Sequence, residues 1–245
     1  MKKILFYTLL YIIAITSSYS CGEYDDWEYL ITLYKTFYIM HPNEIATIDG
    51  CGLDVAKWNS KNEFVAVAKA DKITSNKIGT TTISYNGQGI RVTVNPNHHL
   101  YTEPDMSWGS NKSSIISKYG VPYSDNGNTI LYKTSNSDVP FIAYMFNEGG
   151  LFSCGAIILL SAGGRLLDFL DERYVFYSVN TYDYTASFAH CYGKKDDPQI
   201  DYAGQMAYQS SIGGILVVYA SNRSTRSVDI NTIFNSMTES IKGSM

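Results

Sequence analysis

Side chains able to do chemistry are sparse in this chain and rarely fall at useful spacing. His98-His99, with Glu103 and Asp105 close behind, comes nearest to a metal cluster. Neighbours in an extended chain point to opposite sides, so only one of the two histidines could join a site. The stretch is expected to be a polar linker. His41 and His190 have no partner at ligand spacing, and no Gly-x-Ser-x-Gly elbow, His-Glu-x-x-His pair or Walker-type loop occurs. Asp168, Asp171 and Glu172 share an expected helix, where a solvated face is expected rather than an acid–base role. Asp196-Asp197 beside Lys194-Lys195 reads as an exposed loop. Cys154 and Cys191 fall in expected strands of one domain. A disulfide between them would stabilise the fold by roughly 4 kcal/mol through loop closure, and buried free thiols are the alternative. His190 and Cys191 cannot form a catalytic pair, because neighbours in a strand face apart. No catalytic residue, metal site or cofactor is therefore expected.

The elements that would carry these residues divide the chain of 245 residues in two. The composition is that of a globular protein, 17% charged and rich in tyrosine (21 residues), which favours half-buried pleated surfaces. No basic run appears, and a nucleic-acid partner is not expected. Residues 31–96 hold short apolar–polar alternations without helical periodicity, the pattern of a small all-β sandwich. A hairpin is expected around Asn86-Gly87-Gln88-Gly89. Two prolines and no periodicity mark 97–104 as the linker. Residues 105–245 mix strands and helices, expected as an α+β domain with its helices packed on one face of an antiparallel sheet.

Within that domain a first helix is expected to be capped by Ser110 and stopped by Gly120 and Pro122. A second spans Arg165 to Tyr174. A third carries the stripe Ile230, Ile233, Phe234, Met237, Ile241. Strands are expected near Thr129 to Lys133, Phe141 to Phe146, Leu151 to Leu160, Tyr184 to Cys191, Gln205 to Gln209 and Gly214 to Ala220. The order suggests an internal repeat, with units near Trp108 to Leu160 and Gly163 to Ala220.

The first thirty residues give an address. Lys2 and Lys3 precede a run of twelve residues, Ile4 to Ile15, and a small-residue stretch ends in Ser20-Cys21. The run is too short to span a bilayer and reads as a removable signal peptide, residues 1–20. Ser20-Cys21 resembles a bacterial lipobox, although Ser18 stands where leucine is usual. The resemblance implies that Cys21 becomes an acylated N-terminus, a membrane partner without a transmembrane segment. Residues 21–30 form an acidic tether, with Glu23, Asp25, Asp26 and Glu28 among seven residues. It resembles the stretch that routes some lipoproteins to the outer face of the outer membrane. Losing Lys2 and Lys3 with the signal takes the net charge from −4 to −6.

Trp58-Asn59-Ser60-Lys61-Asn62, Val65-Ala66, Lys72-Ile73-Thr74, Gly79-Thr80-Thr81-Thr82-Ile83 and Val92-Thr93-Val94 are similar to the group 2 bacterial immunoglobulin-like domain. Lys72 replaces a usual glycine. The resemblance implies Trp58 in the inter-sheet core and Gly79 in a tight turn. The Trp108-Gly109-Ser110 start with Tyr119-Gly120-Val121-Pro122 resembles small barrel-assembly lipoproteins and β-lactamase-inhibitor-type repeats. Together these imply a non-catalytic, surface-exposed outer-membrane lipoprotein that binds a glycan or an envelope or host protein. A periplasm-facing accessory or inhibitor protein is the alternative, and a hydrolase is expected less.

Overall fold

A computed structural model describes residues 31–222 and 229–244. The signal segment, Cys21 and the acidic tether lie outside those residues. Residues 31–94 build small sheets around one core. β1 (Thr32–Leu33) pairs with β4 (Gly50–Cys51). β2 (Phe37–Met40), β5 (Asn59–Ser60), β8 (Gly79–Tyr85) and β9 (Gln88–Val94) form a four-stranded sheet in the order β2-β9-β8-β5. β3 (Ile45–Thr47), β6 (Ala66–Lys69) and β7 (Lys72–Ser75) form a three-stranded one. Thr81, Ile83, Ile90, Val92 and Val94 alternate inward along β8 and β9, and the apolar ones share a core with Ala66 and Ile73 of the other sheet.

Turn chemistry sets the registers. The β8–β9 hairpin closes with two residues, Asn86 at φ 46° and Gly87 at φ 78°, and pairs Tyr85 with Gln88. The expected four-residue loop is thus shorter, because a two-residue turn with both φ values positive matches strand twist. Lys72, in the position of the missing glycine, lies in a strand, and the left-handed conformation falls on Ala70 (φ 50°) instead. Trp58 sits at the rim of the core, its Nε1 donating to Ala70 O at 2.8 Å.

Residues beyond 110 form one antiparallel sheet of eight strands. The first unit is α1 (Lys112–Tyr119), β10 (Ser124–Asp125), β11 (Thr129–Lys133), β12 (Phe141–Asn147) and β13 (Gly150–Ile158). The second is α2 (Gly163–Asp171), β14 (Val175–Asn180), β15 (Thr185–Gly193), β16 (Pro198–Gln209) and β17 (Gly214–Ser221), and α3 (Ile230–Lys242) follows. The strand order is β10-β11-β12-β13-β17-β16-β15-β14. Each unit is one helix and four strands, and the last strands of the two units meet at the centre. Asn111, not Ser110, caps α1, its side chain accepting from Ser114 N at 2.8 Å.

The helices occupy both faces, which corrects the expectation of one. Ile115 of α1 and Leu166, Phe169 and Leu170 of α2 pack on the side of Cys154, Phe188, Val217 and Tyr219. Ile233, Phe234, Met237 and Ile241 of α3 pack on the opposite side, against Leu131, Met145, Leu216 and Val218. The physical reason lies in β17, where all eight residues are buried. A strand apolar on both sides needs cover on both.

Candidate functional site

The segment 97–104 has no regular structure, yet it is not a free linker. Backbone groups outside helix and sheet still need partners, and here side chains of the C-terminal region supply them. The Glu172 carboxylate, 8% exposed, accepts from Asn97 N and His98 N at 3.0 Å. Arg173 Nη2 donates to His98 O at 3.3 Å, and Asn136 Nδ2 donates to Leu100 O at 2.7 Å. Leu100 is buried in the α1/α2-side core, and the Tyr101 ring stacks on Phe169 at 4.7 Å. The segment is a strap tied down along its length. Glu172 is therefore an anchor rather than part of a solvated helix face. Its carbonyl also accepts from Ile78 N at 2.8 Å, and Lys194 meets Glu63 at 3.0 Å, so the same region holds the N-terminal sheets.

Between the strap and the β11–β12 connection lies an open groove of about 460 Å³. Its polar lining is His99, Thr102, Thr134, Ser135 and Asn136, and Leu100, Tyr101, Val139 and Ile142 supply apolar surface. No carboxylate, lysine or arginine lines it. Thr134 and Asn136 brace one wall. Thr134 Oγ1 donates to Val139 O and accepts from Asn136 N at 3.1 Å, and Asn136 Oδ1 accepts from Asp138 N at 3.0 Å.

Tyr101 joins this groove to a polar network under the strap. Its hydroxyl lies 2.5 Å from that of Tyr219. Tyr174 donates its hydroxyl hydrogen to Glu103, so the Tyr202 hydroxyl, 3.3 Å away, must donate to Tyr174. Arg173 Nε lies 3.9 Å from the Glu103 carboxylate. His190 stacks on Tyr202 at 5.1 Å and reaches Asp201 through Nδ1 at 3.0 Å. Asp201 is the extra residue of a bulge, since His190 pairs with Tyr202 and Cys191 with Ile200. Gly204 makes room here: a β-carbon would run into the Phe188 ring.

Burial governs the titration of these groups. It raises the Glu103 carboxyl above the ordinary range, against the opposing pull of Tyr174 and Arg173. It also pushes the Tyr101, Tyr174 and Tyr219 hydroxyls and the Cys154 thiol well up. Asp105 is turned away to Lys118 at 2.6 Å, which, with Ser107, holds its carboxyl down against burial. The network thus holds one carboxyl group between a phenol and a guanidinium, and it fixes the strap at Glu103.

Of the two alternatives for Cys154 and Cys191, the disulfide is not formed, and both are buried thiols. Cys154 on β13 and Cys191 on β15 are separated by β17 and β16, about 14 Å at ~4.8 Å per strand, against the ~7 Å limit for bridged Cα atoms. His98 contributes only backbone contacts to the strap, whereas His99 lines the groove. Among the described residues no three His, Cys, Asp or Glu side chains converge as metal ligands, and no helix is long and apolar enough to cross a membrane. Asp171 meets Lys77 at 3.2 Å, and Asp196 and Asp197 lie exposed. No family model matches the chain, and no curated protein matches it.

Proposed function

We propose that this chain is a non-catalytic, lipid-anchored protein of the outer membrane that binds neutral glycans in the groove beside the strap. The observation carrying this reading is the lining: five neutral or weakly basic hydrogen-bonding side chains among aliphatic and aromatic ones, without a fixed charge. Such a surface matches an uncharged ligand rich in hydroxyl groups. An ionic ligand would find no counter-charge there, and a wholly apolar one would strand the polar groups. The β structure of residues 31–94 supports an immunoglobulin-like spacer between the anchor at Cys21 and this groove.

The test is an array of neutral and anionic glycans probed with the intact chain and with Ser135→Trp, which fills the groove from an exposed position. Capture of neutral glycans that Ser135→Trp abolishes is expected. Capture of anionic glycans alone, or undiminished binding by Ser135→Trp, overturns the reading. Shaving intact cells with protease tests the address, with Cys21→Ala as the unanchored control. Removal of the wild-type chain while a periplasmic marker survives is expected.

The repeat of one helix and four strands favours a second reading, an accessory or inhibitor protein facing the periplasm. It requires the chain to be protected until the outer membrane is opened and to co-purify with an envelope protein.

A further inference from the structure

Next to Ile142, which lines the groove, the same sheet face carries tyrosine. Ile142 on β12 pairs with Tyr132 on β11, so their side chains leave the same face of the sheet as direct neighbours. The Tyr132 hydroxyl donates to Gly120 O at 3.0 Å, which fixes its ring against the end of α1. Tyr119, the last residue of α1, lies 5.9 Å from the Tyr132 ring and is 45% exposed. Tyr144, buried in the sheet, stacks on Tyr119 at 5.9 Å with 22° between the planes and meets Tyr132 edge-on at 6.0 Å. Lys118 Nζ lies over the Tyr119 ring, 5.2 Å from its centre, and is held there by Asp105 at 2.6 Å. The surface therefore changes along one line, from hydroxyls and amide at Thr134 and Asn136, over Ile142, to braced aromatic rings.

We infer that Tyr119 and Tyr132 form a second subsite, which takes a further pyranose ring of a linear neutral oligosaccharide seated in the groove. This rests on the groove reading and adds the direction and length of its ligand. A pyranose presents hydroxyls at its rim and C–H bonds on its faces. The groove walls serve the rim, and the negative faces of tyrosine rings attract the C–H bonds. The platform is pre-organised, because Tyr132 is tied to α1 and Tyr119 rests on Tyr144, so little freedom remains to be lost on binding.

Calorimetric titration of the intact chain with cellobiose, cellotetraose, maltose and maltotetraose tests this. In one of the two series the tetrasaccharide is expected to bind about tenfold more tightly than the disaccharide, the weight of one aromatic stack. Tyr119→Ala should abolish that gain, and Tyr119→Phe should restore it. Equal affinity for the two lengths, or a gain that survives Tyr119→Ala, overturns the second subsite while the groove reading stands. If none of the four saccharides binds the wild-type chain, the second subsite falls, while the groove reading is decided by the array of neutral and anionic glycans.

Discussion

The α3 side of the eight-stranded sheet and its α1/α2 side are both buried, but they are closed by different chemistry. Against α3 lie Leu131, Ala143, Met145, Ile157, Leu216, Val218 and Ala220, met by Ile233, Phe234, Met237 and Ile241. The one buried hydroxyl of α3, Thr238, bonds within its own helix to Phe234 O at 2.9 Å. On the other side the core includes Tyr144, Tyr174 and Tyr219, whose hydroxyls cannot be left bare. Tyr219 finds Tyr101, Tyr174 finds Glu103, and Tyr144 accepts from Asp105 N at 3.2 Å. All three partners belong to the irregular segment between the two regions. Apolar burial makes the centre of the α3 side, with hydrogen bonds from Asn126 to Ser240 O and from Gln205 to Asn231 at its edges, whereas on the other side burial also fixes the course of a strap and hence the wall of a groove. Both faces supply stability, and the α1/α2 face supplies position as well.

The largest effect should come from breaking the apolar side. Phe234→Ala removes a buried ring and should cost about 3–5 kcal/mol, read from urea denaturation. Because Phe234 lies across the sheet from the groove, glycan binding by the folded fraction should be unchanged. A loss of binding at full folding would mean that the two faces are coupled.

Glu172→Ala attacks the positioning side and should cost less, about 1–3 kcal/mol, because Asn97 N–H and His98 N–H lose a buried acceptor. The sharper readout is hydrogen exchange. Exchange should accelerate in residues 97–104 while α3 and β17 keep their protection. Acceleration spread evenly over the chain would show that Glu172 supports the fold at large and has no particular hold on the strap.

The same contrast explains what the sequence could reveal. The α3 stripe at positions 230, 233, 234, 237 and 241 is local, so periodicity alone finds the helix, which runs Ile230–Lys242. The apolar run from Gly214 to Ala220 is equally plain, but it does not say how many faces it covers, and the one-face expectation failed there. β14 escaped detection because it is an edge strand, exposed from Tyr177 to Asn180 and without alternation. Glu172 reads like any helix-end carboxylate, since its partners are backbone N–H groups 74 and 75 residues away. Prolines and missing periodicity in 97–104 mean only irregular backbone. Whether that backbone hangs free or is strapped down depends on tyrosines distant in sequence. Whether Cys154 and Cys191 are bridged or remain buried thiols was open for a related reason, because chain order does not say that two strands would come between them.

The smallest effect, and the one that tests the network most directly, is a pH dependence at Glu103. Burial raises its carboxyl in the folded protein, while in the unfolded chain it ionises near the usual ~4.3. Between those two values the folded state holds a proton that the unfolded state has lost. The stability contributed by the neutral acid is therefore full below the unfolded value and is lost as pH rises through the folded one. Glu103→Gln keeps an acceptor for the Tyr174 hydroxyl and cannot ionise. Relative to wild type, the variant should gain unfolding free energy as pH rises from about 4 towards 7, measured by denaturant titration at each pH. The remaining ionisable groups are common to both proteins and cancel to first order in the difference. Arg173, 3.9 Å from the carboxylate, pulls the other way; if this ion pair outweighed burial, the folded carboxyl would ionise below the unfolded one, and the difference between variant and wild type would change only below about pH 5 and stay flat above it. The Tyr101, Tyr174 and Tyr219 hydroxyls would then be arranged around a charge, and the strap would be held by an ion pair instead of by neutral hydrogen bonds.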